Sequence, residues 1–210
     1  MGQQVVVWRH GRTEWNLAGR FQGQSDVALD AVGVAQARDS ARILAALRPA
    51  AIVSSDLTRA ADTAGQLGRL TGLPVQFDPG LRETYLGTWQ GLTRAEVDAQ
   101  FPGEEAAWLR GELERRGGGE SMPEVAERAV AAVRGALEKL GPDDTLVAVT
   151  HGGSGRVLIG SLCGLPPEHW SALGVLSNCC WTVLKQRPDR WAILEHNAGT
   201  LPEPVMSDDA

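Results

Sequence analysis

Two hydrophobic periods alternate along the chain. Short apolar runs with no charged interruption, Val5–Trp8, Ala50–Val53 and Thr145–Thr150, have the pattern of strands buried on both faces of a parallel sheet. Between them, apolar residues recur at helical spacing. Asp30 is placed to cap a helix running to about Arg48, with Val32, Ala37, Ala41, Leu44 and Leu47 inward and Pro49 as its stop. A second helix puts Leu57, Ala60, Ala61, Ala64, Leu67 and Leu70 on one face and ends at Gly72 and Pro74. Val75–Phe77 fits a third strand, Pro79-Gly80 a turn, and the glycine-punctuated stretch Leu81–Gly91 a surface loop.

The segment Thr93–Glu120 offers two helices and a break at Gly117-Gly118-Gly119. Ser121 and Glu124 form a capping-box signature for a helix with Val125, Ala129, Val133, Ala136 and Leu140 inward. After the strand Thr145–Thr150, a helix from about Ser154 to Cys163 ends at Gly164. A hairpin follows, Cys180–Lys185 and Trp191–Glu195 around Pro188-Asp189. Strands alternating with helices predict an α/β fold with a mainly parallel sheet, as one domain over residues 1–198. Residues 199–210, with two prolines and two aspartates, read as a flexible tail.

This order matters because open α/β sheets place ligands at the carboxyl ends of their strands. The first strand delivers Arg9 and His10, followed by Gly11. The second delivers Ser54-Ser55 and, one helical turn on, Arg59. The strand ending at Thr150 delivers His151 before Gly152-Gly153 and a helix. Two arginines, two histidines and two helix N-termini on one edge suit a dianion, since guanidinium forks and free N–H groups both match phosphate oxygens. Glu83 lies beyond the third strand. A carboxylate beside a phosphate is unfavourable unless protonated, which makes Glu83 a candidate general acid.

Composition narrows the partners. A net charge of −6 argues against nucleic acid but leaves room for one basic pocket and an anionic small molecule. Three cysteines, Cys163, Cys179 and Cys180, give no disulfide framework, and no metal-ligand spacing appears. Cys179-Cys180 reads as packing. With no signal-peptide pattern and no apolar run of membrane-spanning length, the expected setting is cytoplasmic with no membrane partner.

The motifs also carry a resemblance. R-H-G-R-T-E-W-N is similar to the R-H-G-x-T-x-x-N signature of the histidine phosphatase, or phosphoglycerate-mutase-like, superfamily. S-S-D-L-T-R-A-A-D-T, L-R-E-T-Y-L-G-T-W-Q-G-L-T and V-T-H-G-G follow in family order. The resemblance implies a three-layer α/β/α sandwich, a phosphorylated small-molecule substrate and no metal or other cofactor. It makes His10 the phosphorylated nucleophile, Arg9, Arg59 and His151 the phosphate ligands with Gly152 beside them, and Asn16 the polar residue closing the pocket. Glu83 matches the proton donor, and Gln22 and Gly23 the loop lining the substrate end. On that reading a backbone carbonyl fixes the second nitrogen of His10. The arginines and a charged His151 then stabilise the equatorial oxygens.

Other positions carry less. Arg12 either extends the basic pocket or is a solvated charge, and His169 and His196 read as bystanders. The short segment between Glu83 and His151 favours a phosphatase over a cofactor-dependent phosphoglycerate mutase. L-R-E-T-Y-L-G-T-W-Q-G-L-T and W-S-A-L-G-V-L-S-N-C-C-W-T-V-L resemble the glucosyl-3-phosphoglycerate phosphatases. A broad-specificity, ribazole-phosphate or sugar-phosphate phosphatase stays open. An inactive phospho-ligand sensor is the non-enzyme alternative, opposed by the presence of every residue the chemistry needs. Relatives of this kind are often dimers, so a homodimer is the expected assembly.

Overall fold

In the computed structural model, which describes residues 2–199, six strands form one sheet in the order β3-β2-β4-β1-β5-β6. These are β1 (Gln4–Arg9), β2 (Ala51–Ser54), β3 (Val75–Phe77), β4 (Thr145–Thr150), β5 (Trp181–Gln186) and β6 (Trp191–Ala198). Strands β3, β2, β4 and β1 are mutually parallel, whereas β5 runs antiparallel to β1 and β6 antiparallel to β5. The helices are α1 (Glu14–Leu17), α2 (Ala31–Ala45), α3 (Thr58–Thr71), α4 (Arg94–Gln100), α5 (Glu104–Leu109), α6 (Met122–Leu137) and α7 (Gly152–Leu162).

Strand alternation divides the core. Val5 and Val7 of β1 pack with Leu146 and Ala148 of β4 against α6 and α7. Val6 and Trp8 pack with Val147 and Val149 against α2 and α3. The result is the expected α/β/α sandwich, with β1 and β4 buried on both sides because helices cover both.

The helix starts follow local chemistry. Asp30 Oδ1 accepts from the Gly33 N–H at 2.7 Å, and Glu124 Oε2 accepts from the Ser121 N–H at 2.9 Å. The helix faces are narrower than periodicity suggested. On α2 the inward residues are Gly33, Ala37, Ser40, Ala41 and Leu44, while Val32 and the post-helical Leu47 are exposed. On α3 Leu70 is exposed and Ala61 only half-buried. Gly33 is inward because the backbone of Gly11 and Arg12 lies directly on it, so a Cβ on Gly33 or Gly11 would collide with main-chain atoms.

Leu81–Gly91 is not a surface loop. Leu81, Thr84, Leu86 and Trp89 are buried, and Trp89 packs against Phe21 with ring centroids 5.3 Å apart. Gly87 (φ +51°) lets this segment press on the carbonyl of Gly117, and Gly119 presses on that of Tyr85. The triple glycine is thus a packing surface for a second loop. The tail expected over 199–210 lies outside the described residues except for Gly199, which abuts the Cys180 side chain. Among the described residues no helix is long and apolar enough to cross a membrane.

Candidate active site

The carboxyl ends of β1, β2 and β4 bring Arg9, His10, Ser55, Arg59 and His151 into one buried cluster, each at most 4% exposed. The rings of His10 and His151 are 5.0 Å apart, centroid to centroid. His10 follows the last residue of β1, and its N–H still donates to Thr150 O at 3.0 Å, so strand pairing sets where it stands. Its Nδ1 lies 2.7 Å from Gly11 O. A carbonyl only accepts, so the proton is on Nδ1 and Nε2 keeps its lone pair.

Arg59 reaches in from the first turn of α3. Its Nη1 and Nη2 each donate at 2.8 Å, to Ser25 O and Gly23 O, and its Nε donates to His151 Nδ1 at 3.2 Å. That bond leaves His151 Nδ1 unprotonated, and Nε2–H faces Ser55 Oγ at 2.9 Å. His151 is therefore neutral here, a correction to the charged form expected. Burial, then Arg59, His10 and Arg9, hold it well below the ordinary histidine range. Burial, then Arg59 and Arg9, do the same to His10 against a smaller opposing effect of the Gly11 carbonyl.

Two donors in this cluster are buried without an acceptor among the described residues, Arg9 Nε and Asn16 Nδ2. Arg9 Nη1 is occupied by Leu176 O at 2.6 Å. Asn16 Oδ1 accepts from Thr13 N and Thr13 Oγ1, both at 3.1 Å, and from Asn178 Nδ2 at 3.3 Å, which orients its amide. Buried donors of this kind are normally satisfied, and phosphate oxygens have the chemistry to do it. Gln22 is buried with its Oε1 3.0 Å from Thr13 Oγ1, and Gly23 (φ +51°) turns its carbonyl onto Arg59. Gly152 opens α7 against Arg9, where a Cβ would stand 3.4 Å from the guanidinium carbon.

Glu83 is half-buried at the N-terminus of α7. Its Oε1 accepts from Thr84 N at 2.8 Å and Ser154 N at 2.9 Å, and its Oε2 from Gly153 N at 3.0 Å. It does not pair with Arg82, which forks onto Asp56. Arg12 is likewise spent on a neighbour, Asp30, at 2.8 Å. His196 bonds Thr182 and Gly174 O, remote in role from the cluster.

Sequence reasoning passed over three supports. Asn178 Nδ2 donates to His10 O at 3.1 Å, and Thr63 Oγ1 accepts from Gly11 N at 3.1 Å. Arg128 of α6 donates to the carbonyls of Gly80, Arg82 and Glu83 at 2.6–2.9 Å and forks onto Glu120 at 2.8 Å. Glu120 in turn accepts from Tyr85 N at 2.8 Å, so the pair clasps the loop carrying Glu83 from both sides. Sequence offered one weak cue, Arg128 at i+4 from Glu124, and that spacing reads first as a surface pair.

Comparison with known proteins agrees with this architecture. Residues 5–199 match the family model described as histidine phosphatase superfamily (branch 1). Glucosyl-3-phosphoglycerate phosphatase of Mycobacterium tuberculosis is 44% identical over 189 residues, 87% of this chain and 85% of that protein. Metal-independent phosphoserine phosphatase of Arabidopsis thaliana is 36% identical over 194 residues, 90% of this chain and 79% of that one. A solved mycobacterial glucosyl-3-phosphoglycerate phosphatase in complex with VO3 superposes with a TM-score of 0.88 at 43% identity, covering 93% of this chain and 99% of that chain. With its sheet and nearly its whole described length accounted for in this way, the chain belongs to the histidine phosphatase superfamily and is a phosphatase.

Proposed function

We propose that this phosphatase acts through a phosphohistidine on His10 and that its substrate is glucosyl-3-phosphoglycerate. The observation that carries the mechanism is the fixed tautomer of His10, with Nδ1–H on Gly11 O and a free lone pair on Nε2 among buried guanidiniums. The Nε2 lone pair forms the N–P bond as the ester P–O bond breaks, and Glu83 gives its proton to the leaving oxygen. Glu83 Oε2 accepts a single N–H, so it keeps a lone-pair site for that proton. Water then attacks phosphorus, Glu83 takes its proton, and the N–P electron pair returns to His10.

Arg9, Arg59 and Asn16 Nδ2 stabilise the equatorial oxygens, and the two guanidiniums supply positive charge already oriented before the reaction. Neutral His151 serves as an oriented N–H donor and as the acceptor that holds Arg59. Gln22 and Gly23 line the substrate end, and Gly152 admits the phosphate beside Arg9. The 44% identity to the mycobacterial enzyme of that name supports this substrate. A cytoplasmic homodimer, acting without a metal, completes the proposal.

Two assays test it. Rapid quenching with labelled substrate should trap an acid-labile phosphoenzyme in wild type and none in His10→Ala. A kcat/KM panel should rank glucosyl-3-phosphoglycerate above phosphoserine and ribazole phosphate. Turnover in His10→Ala near the wild-type rate, or rapid conversion of 3-phosphoglycerate to 2-phosphoglycerate, sinks it. Light scattering reads the dimer.

A further inference from the structure

α6 and α7, which hold Glu83 and its loop through Arg128 and the N–H groups of Gly153 and Ser154, also wall a groove of about 580 Å³ together with residues 108–114. Its position is fixed from two sides. Met122 on one wall follows two residues after Glu120, which holds the backbone of Tyr85. Arg156 on the other follows Gly153 and Ser154, whose N–H groups hold the Glu83 carboxylate. Long helical side chains lean toward the helix N-terminus, which directs Arg156 toward the turn of Gly152 and Gly153.

Arg156 is half-buried and, among the described residues, makes no hydrogen bond or ion pair. The two tryptophans of the groove are held. Trp170 donates to Leu165 O at 2.9 Å, and Trp108 lies under the Arg116 guanidinium at 4.5 Å. A partly buried guanidinium with five idle donors is unusual on a wall otherwise mostly apolar, with Glu114 and Ser171 as its other polar side chains. It marks a place for an oxyanion next to an apolar surface.

Resting on the mechanism proposed above, in which Glu83 protonates the leaving oxygen, we propose that this groove receives the leaving alcohol of the substrate. Arg156 pairs with a carboxylate on that alcohol, and Trp108 faces a sugar attached to it. The volume suits such a fragment, since small-ligand sites span roughly 300–1,000 Å³. Glu114, also on the wall, offers an acceptor to sugar hydroxyls. Arg156 is thus a specificity residue for an acidic alcohol, separate from the phosphate ligands.

The test compares 3-phosphoglycerate with glycerol 3-phosphate, which differ in the carboxylate, in wild type, Arg156→Lys and Arg156→Gln. The ratio of their kcat/KM values should fall about tenfold or more in Arg156→Gln and less in Arg156→Lys, the scale of one charge-assisted hydrogen bond. Glycerate should compete with substrate in wild type and weaken in Arg156→Gln. Trp108→Leu should lower the ratio for glucosyl-3-phosphoglycerate over 3-phosphoglycerate. An unchanged carboxylate ratio in a folded Arg156→Gln protein, verified by thermal melting, overturns the subsite. A collapsed ratio without turnover of the glucosyl compound supports the carboxylate site and refutes the named substrate instead.

Discussion

Acidification from pH 7 to pH 5.5 should destabilise this protein through His10 and His151 together. Both are at most 2% exposed, and both are held well below the ordinary value of 6.5, first by burial and then by Arg59. Between the folded pKa and 6.5 the unfolded chain binds a proton that the folded chain does not. Stability therefore rises with pH in that window and is lost as pH falls below 6.5. Each histidine contributes up to about 1.4 kcal/mol per pH unit, so the interval should cost up to about 2.5 kcal/mol for the pair. Urea midpoints at the two pH values, converted with the measured m-value, read the sum in wild type. His10→Asn and His151→Asn should each remove about half of the difference. If both substitutions leave the pH dependence as it is in wild type, the histidines are not proton-excluded in the folded state and the neutral assignment of His151 fails.

Three further outcomes follow from the same geometry. Arg128→Met should lower kcat by about 10–100-fold with a smaller change in KM, because it frees the loop carrying Glu83, the proposed proton donor, rather than the proposed phosphate ligands; a larger effect on KM than on kcat argues otherwise. Gly152→Ala should weaken competitive inhibition by inorganic phosphate, since the added methyl meets Val175 Cγ1 at 2.8 Å and crowds Arg9, and inhibition equal to wild type counts against that placement. Arg12→Gln should leave kcat/KM within about twofold and cost about 0.5–1 kcal/mol in urea melts, as its half-buried partner is Asp30; a tenfold loss of activity would return Arg12 to the pocket.

The anchors of the site were legible because they follow strands that announce themselves. Val5–Trp8 and Thr145–Thr150 are unbroken apolar runs, and what comes next in sequence must lie at their carboxyl ends. His10, His151 and, through the short link after β2, Arg59 are all placed by that rule. The supports were not legible because they arrive from distant elements. Arg128 touches Glu83 across 45 positions of sequence and Asn178 touches His10 across 168, and no local period encodes either meeting. Trp89 went inward for a similar reason: its burial needs Phe21 and the Gly117–Gly119 loop, neither of which a window around Leu81–Gly91 contains. Val32, Leu47 and Leu70 failed differently. They sit at the ends or shoulders of α2 and α3, where Ala37, Ala41 and Ala64 let the helices lie close to the sheet and leave the flanking positions outside.

The reversed direction of β5 separates two tasks between the ends of one hairpin. Because Trp181 pairs with Trp8 and Lys185 with Gln4, the residues entering β5, Asn178 among them, arrive beside His10. The turn after Gln186, where Arg187 N bonds Arg190 O, is carried to the opposite rim of the sheet. That rim is the place to attach a fluorophore, graft a peptide or tether the enzyme to a surface: Pro188-Asp189 is joined to the His10 end only through the length of β5 and β6, and lies at the opposite ends of those strands.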